Sequence, residues 1–114
     1  MDYLFQKGRS HSALAFPLRV VYVPMAAADQ DVPVQVLISV PKKRLRHAVD
    51  RNRAKRQVRE AYRLNKQVLW QSVPEGHRLA LAFIWQSDEP TDSHRVVRSV
   101  RHLLHRLAEQ PLWA

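Results

Sequence analysis

Val34-Gln35-Val36-Leu37-Ile38-Ser39-Val40-Pro41-Lys42-Lys43-Arg44 is the stretch on which the fold turns. Val34, Val36, Ile38 and Val40 alternate with Pro33, Gln35, Leu37 and Ser39, the period-2 pattern of a strand with one strongly apolar face. Pro41 ends that strand, and the period then changes. At about 100° per residue, Ala54, Val58, Ala61, Leu64 and Val68 share one side of a helix, while Arg51, Lys55, Arg56, Arg59, Arg63 and Lys66 occupy a neighbouring arc of roughly 140°. A strand is therefore followed by a helix that has one face to pack and one face that is cationic.

Working outward towards the N-terminus, residues 14–23 form a β-branched and aromatic stretch interrupted by Pro17, which predicts an edge strand or a strand bent at the proline. Residues 24–32, with Pro24 and Asp29-Gln30-Asp31, read as a polar connection, and the two strands it joins are expected to pair antiparallel. A short helix or turn is expected ahead of them. Towards the C-terminus, Pro74-Glu75-Gly76 breaks the helical pattern and a continuous apolar run from Leu79 to Trp85 predicts a buried strand, with Leu79, Leu81, Phe83 and Trp85 on one side and Ala80, Ala82 and Ile84 on the other. Val96, Val100, Leu103, Leu104 and Leu107 then follow helical spacing, with Thr91, Asp92 and Ser93 as cap candidates and Pro111 as the stop. The expected fold class is α+β, a two-layer sandwich with helices over one sheet, in one domain over residues 1–114.

Charge is distributed unevenly. Eleven of the nineteen Lys and Arg residues fall between Lys42 and Lys66 against Asp50 and Glu60 alone, so this segment carries the +9 formal charge of the whole chain. One-signed charge at that density adds self-repulsion and nothing to a core, so it points to a polyanionic partner, nucleic acid before an anionic membrane. Arg51, Arg53 and Lys55 stand in the first turns of the helix, where the macrodipole is already positive. Asp50, as the expected cap, offsets part of that, and a bound anion would complete it.

Other function classes find little support in the residues. The chain has no cysteine, so disulfides and thiolate zinc sites are excluded. No run approaches the ~18 apolar residues of a membrane span, and the N-terminus lacks a signal-peptide pattern, so a soluble, cytoplasmic protein is expected. The acids are scattered, with no pair placed for general acid–base work. His94, His102 and His105 share the wet side of the last helix with Arg95, Arg98 and Arg101, but no carboxylate stands at ligand spacing beside them, so a solvated face accounts for them and no metal site is expected. Two glycines leave no phosphate-cradling loop. The residues by themselves leave open a structured-RNA-binding module of ribosomal type, or a helix for a DNA major groove.

Lys42-Lys43, Ala48-Val49-Asp50-Arg51-Asn52-Arg53-Ala54-Lys55-Arg56, Arg59-Glu60 and Tyr62-Arg63-Leu64 together resemble the signature of the bacterial ribonuclease P protein subunit. Phe5-Gln6-Lys7-Gly8-Arg9-Ser10 is similar to that family's N-terminal Phe-x-x-Gly-x-Ser element, and Ser39-Val40-Pro41-Lys42-Lys43 to its strand-to-basic-loop junction. The resemblance runs from about Tyr3 to Leu107 and implies an α-β-β-β-α-β-α order, a mixed four-stranded sheet and a left-handed crossover through the basic helix. It implies binding to a catalytic RNA and to precursor tRNA, whose 5′ leader is removed by that RNA with Mg2+, and no cofactor held by the protein. The RNA-binding residues would be Lys42, Lys43, Arg44, Arg46, Arg51, Asn52, Arg53, Lys55, Arg56, Arg59, Arg63 and Lys66. Asn52 reads equally as an RNA contact or as a local cap partner from spacing alone, and the resemblance favours RNA. The leader would meet Phe5, Lys7, Phe16 and Tyr22, in a cleft between the N-terminal helix and the sheet. With four residues ahead of Phe5, that helix is expected to be short or absent and the cleft open.

Overall fold

The computed structural model describes residues 11–26 and 33–109, and within them β1 (His11–Ala15), β2 (Leu18–Ala26), β3 (Val34–Ser39), α1 (Ala48–Trp70), β4 (His77–Trp85) and α2 (Ser93–Glu109). The helix or turn expected before β1 lies outside the described residues. From β1 onward the order that the resemblance implies is present, and the architecture is α+β with a mixed four-stranded sheet.

The sheet order is β1-β2-β4-β3, antiparallel between β1 and β2 and between β2 and β4, and parallel between β3 and β4. Two expectations are corrected here. The stretch bent at Pro17 is not one strand but a hairpin, with Phe16 and Pro17 as its turn and a cis peptide bond between them. The strands expected to pair with each other, β2 and β3, are separated by β4. The apolar run explains that position, because Leu79 to Phe83 is buried on both faces and a strand of that kind belongs in the centre of a sheet. β2 also extends through Pro24 to Ala26, further than the turn chemistry suggested. Among the described residues Tyr22 is the last of β2 to pair with β1, and Pro24 lies past it, so its missing N–H costs no described bond along that edge.

Leu18, Val20 and Tyr22 of β2, Leu79, Leu81, Phe83 and Trp85 of β4, and Val34, Val36 and Ile38 of β3 face one way and meet both helices in a single core. α2 covers β1 and β2, α1 covers β3, and the helices pack on each other. The other face of the sheet has Val23, Ala80 and Ala82 at its floor, with Val21, Leu37 and Ile84 half-buried around them.

Every inward residue expected on α2 is buried, and Ser99 joins them by donating its hydroxyl to the Ala15 carbonyl. Asp92 caps the helix, its Oδ1 accepting the Arg95 N–H at 3.0 Å. On α1 the fully buried set is Ala54, Val58, Ala61 and Leu69, with Val68 half-buried against the same core, so of the expected inward residues Leu64 alone is misplaced. Leu64 is 59% exposed. It stands about 100° from the middle of the buried arc, whereas Leu69, eleven residues past Val58, returns close to Val58's own direction. The helix starts earlier than Asp50: His47 is its N-cap, without a side-chain cap bond, and Asp50 sits inside the first turn. Gly76 has φ +82°, which lets the Pro74-Glu75-Gly76 turn enter β4 without a Cβ in a left-handed conformation.

These placements separate two leucines that the sequence pattern treats alike. Leu103→Ala should lower the unfolding free energy by about 2–5 kcal/mol, and Leu64→Ala should stay within about 0.5 kcal/mol of the parent, both read from urea unfolding.

Candidate nucleic-acid interface

The basic segment begins in the loop between β3 and α1, and an apolar side chain holds that loop in place. Leu45 is 3% exposed and belongs to the core. Its amide and that of Arg44 both donate to the Pro41 carbonyl, at 3.2 and 3.0 Å, so the chain turns tightly around Leu45. Lys42, Lys43 and Arg46 are left exposed on the rim, and Arg44 forms a 3.1 Å ion pair with Asp88 on the β4–α2 connection.

Arg51 is built into this loop. Its Nη1 donates to the carbonyls of Leu45 at 3.0 Å and Arg46 at 2.9 Å. The guanidinium thereby satisfies two loop carbonyls from the first turn of α1, and partial negative charge sits beside a cation that the helix dipole would otherwise repel. Arg53, Arg56 and Arg59 are exposed and Lys55 half-buried, and none of the four makes a hydrogen bond, ion pair or ring contact among the described residues. Asn52 is likewise exposed and without a side-chain hydrogen bond there, which removes the cap-partner reading, since the cap position is His47.

The far half of the helix differs. Arg63 Nε donates to Glu60 at 3.1 Å, and this bond holds the Glu60 carboxyl below its usual pKa and raises that of Arg63. The Lys66 ammonium lies 4.6 Å from the Trp70 ring centroid. Trp70 in turn donates its indole N–H to the Tyr62 hydroxyl at 2.7 Å, and Tyr62 meets Phe83 edge-on, with burial pushing the phenol pKa up. Unpartnered charge is thus concentrated in the first half of α1.

Of the four residues expected at the leader, Phe5 and Lys7 lie outside the described residues. Phe16 is 51% exposed at the hairpin turn, with the Arg95 guanidinium 5.0 Å from its ring centroid. It borders a recess of about 450 Å³ that also includes Asp88, Thr91 and Asp92. Tyr22 is different. It is 5% exposed, faces the helices in register with Leu18 and Val20, and stacks on His11 with ring centroids 5.5 Å apart. Burial raises its phenol pKa, and the nearby charge of Arg106 opposes the rise. A ring so enclosed presents no face to a base, so the structure places Tyr22 in the core. The Arg51 strap, the Leu45 anchor and the Phe16–Arg95 contact all join residues that no sequence period relates. The one available signal was an isolated leucine amid six loop residues, four of them basic.

The family model described as Ribonuclease P matches residues 2–108. The ribonuclease P protein component of Porphyromonas gingivalis is 43% identical over 102 residues, spanning 89% of this chain and 74% of that protein. That of Chlorobaculum tepidum is 39% identical over 88 residues, spanning 71% and 57% respectively. The solved structure of the RNase P protein from Thermotoga maritima superimposes with a TM-score of 0.69 at 26% identity, covering 91% of this chain and 87% of that one. With its sequence and its fold both matched over most of its length, the chain belongs to the ribonuclease P protein family.

Proposed function

We infer that the chain is the protein subunit of ribonuclease P, the ribonucleoprotein endoribonuclease of tRNA 5′ maturation, and that it associates with the ribonuclease P RNA. The observation that carries the RNA contact is the set Arg53, Lys55, Arg56 and Arg59, without partners among the described residues and continued by Lys42, Lys43 and Arg46 on the loop that Leu45 anchors. Folded RNA is recognised through phosphates, 2′-hydroxyls and shape, and the planar fork of arginine suits phosphate oxygens better than a point charge does. Asn52, exposed between Arg51 and Arg53, adds an amide that can donate to RNA and accept from it.

The finer reading has three parts. The precursor-tRNA leader is received near Phe16, whose half-exposed ring can stack with a nucleotide while Arg95 neutralises phosphate. Phosphodiester hydrolysis and its Mg2+ belong to the RNA. The work of the protein is cytoplasmic, where its RNA partners are made. No described helix is long and apolar enough to cross a membrane.

Three outcomes test these statements. Rigorously RNA-free protein should leave precursor tRNA intact, and adding ribonuclease P RNA with Mg2+ should yield mature 5′ ends. Cleavage by the protein alone would overturn the assignment. Arg53→Ala with Arg56→Ala should weaken binding to the catalytic RNA without lowering the melting temperature, and should flatten the slope of log K against log salt by about 0.7–0.9 for every phosphate no longer neutralised. Arg51→Ala should also destabilise the fold by about 1 kcal/mol, because two loop carbonyls lose their donor.

Phe16→Ala should weaken holoenzyme affinity for precursor tRNA by about 1–3 kcal/mol and leave mature tRNA nearly unaffected. Tyr22→Ala should instead lower stability by about 3–5 kcal/mol, as a truncated core aromatic does, so both tRNAs would suffer together. Equal losses for both tRNAs with Phe16→Ala would remove the leader from this site.

A further inference from the structure

The exposed side of α2 has a composition that helix stability does not call for. His94, Arg98, Arg101 and His105 follow the spacing i, i+4, i+7, i+11, which Val96, Val100, Leu103 and Leu107 repeat two residues later on the buried side. His102 lies beside this row, and all five are exposed. At 1.5 Å per residue the row is about 17 Å long. The helix carries no acid before Glu109, its last residue. Every helical neighbour of Arg98 at three or four residues' distance is His94, Arg95, Arg101 or His102, so no neighbour offsets its charge. Among the described residues, Arg98, Arg101, His102 and His105 make no hydrogen bond, ion pair or ring contact. The chain does supply an acid three residues from an exposed arginine where it is of use, in Glu60–Arg63.

We propose that this face of α2, centred on Arg98 and Arg101 with His102 and His105 beside them, is a second contact for the phosphate backbone of the catalytic RNA, separate from the contact on α1. The proposal rests on the RNA-binding reading given above and extends it to a surface outside the basic segment.

Topology selects the catalytic RNA over precursor tRNA as the occupant. α1 and α2 cover the same face of the sheet and pack on each other, and packed helices lie about 8–10 Å apart. Gln57 Nε2 of α1 donates to the Thr91 carbonyl at 2.8 Å and to Ser93 Oγ at 3.1 Å, which fixes the start of α2 beside the middle of α1. Both helices run antiparallel to β4, so their positive ends point the same way. An RNA seated on the outer side of α1 continues onto α2 without passing round the molecule. Leu14 of β1 and Phe16, the exposed apolar residues of the hairpin, border the sheet instead.

The test is a salt series of dissociation constants for the full-length protein with ribonuclease P RNA alone. Arg98→Gln with Arg101→Gln should raise Kd by about tenfold near 0.15 M salt and flatten the log–log slope by about 0.7–0.9 for each phosphate that the pair had neutralised. Arg98→Lys with Arg101→Lys should keep most of the slope. If the glutamine pair leaves Kd and slope unchanged while Arg53→Gln with Arg56→Gln weakens binding, the α2 contact is overturned and the α1 reading stands. If neither pair matters, the RNA-binding reading itself fails. A loss seen only in the affinity of assembled holoenzyme for precursor tRNA also overturns the proposal, because the occupant would then be the substrate. A second measurement holds even if the glutamine pair unfolds. The chain has no cysteine, so Arg101→Cys provides a single thiol for a tethered hydroxyl-radical source. Strand scission in the catalytic RNA, at nucleotides different from those cut from Arg56→Cys, supports the contact, and no scission from position 101 removes it.

Discussion

β4 is paired along both edges, antiparallel to β2 and parallel to β3, and the five residues from Leu79 to Phe83 are buried on both faces. That constraint determines the rest of the structure. A parallel pair cannot be joined by a hairpin, so the chain between Ser39 and His77 has to return along the full length of the sheet, and a helix is the usual way to do so. α1 is that return. Its packing face is dictated by β3, β4 and α2, and its opposite face is left to solvent by the same geometry. The position of the cationic arc is therefore a consequence of strand order. A change that displaced β4 from the centre would remove the crossover and with it the platform for Arg53, Arg56 and Arg59.

The charges on α1 are not equivalent, and the difference follows from what lies within reach of each. Arg51 is held by two carbonyls, Arg63 by Glu60 and Lys66 by the Trp70 ring, so part of their interaction energy is already realised in the free protein. Arg53, Lys55, Arg56 and Arg59 have no such partner among the described residues. Cations near the positive end of a helix cost about 0.3–1 kcal/mol each when exposed, and a phosphate placed there reverses the sign of that contribution. The helix is least comfortable without its ligand at the end where RNA is expected to sit. Leu45 and the Arg51 strap keep this unfavourable arrangement ordered, since a loop of bare charges would gain entropy by fraying.

Much of the fold was legible because two periodicities carry it. The alternation in Val34 to Val40, the unbroken run in Leu79 to Trp85 and the spacing of Val96 to Leu107 each identify an element and its inward face. The failures share a physical origin: they depend on which elements become neighbours. The central position of β4 follows from burial on both faces, yet period and propensity describe one strand at a time. Pro17 reads the same whether it bends a strand or closes a hairpin. Leu64 and Leu69 are both plausible on a wheel drawn from Ala54, and the direction from which α2 and the sheet approach decides between them. The site divides in the same way. Arg56 and Arg59 could be read as part of an exposed arc because helix geometry alone exposes them. The burial of Tyr22 and the engagement of Arg51 depended on contacts that chain spacing does not encode.

The two faces of the sheet also differ in what they can accept. The helix side is filled by Trp85, Phe83 and the leucines of α2, and only the outer surface of the helices is open there, so any partner on that side meets charge first. The other side has the small residues Ala80 and Ala82 as its floor, Ala80 in register with Val23 and Ala82 with Val21 and Leu37, and Leu14 and Phe16 exposed at its β1 border. Its rim carries Arg19 in register with Ile84. A folded RNA with closely spaced phosphates suits the first surface, which offers many cations and little apolar area. A single strand, whose bases can separate and stack, suits the β1 border of the second, where Leu14 and Phe16 are exposed. On the proposed reading the catalytic RNA and the leader therefore approach from opposite layers of one sandwich. The hairpin turn at Phe16, with Arg95 reaching it from α2, is where the two layers meet.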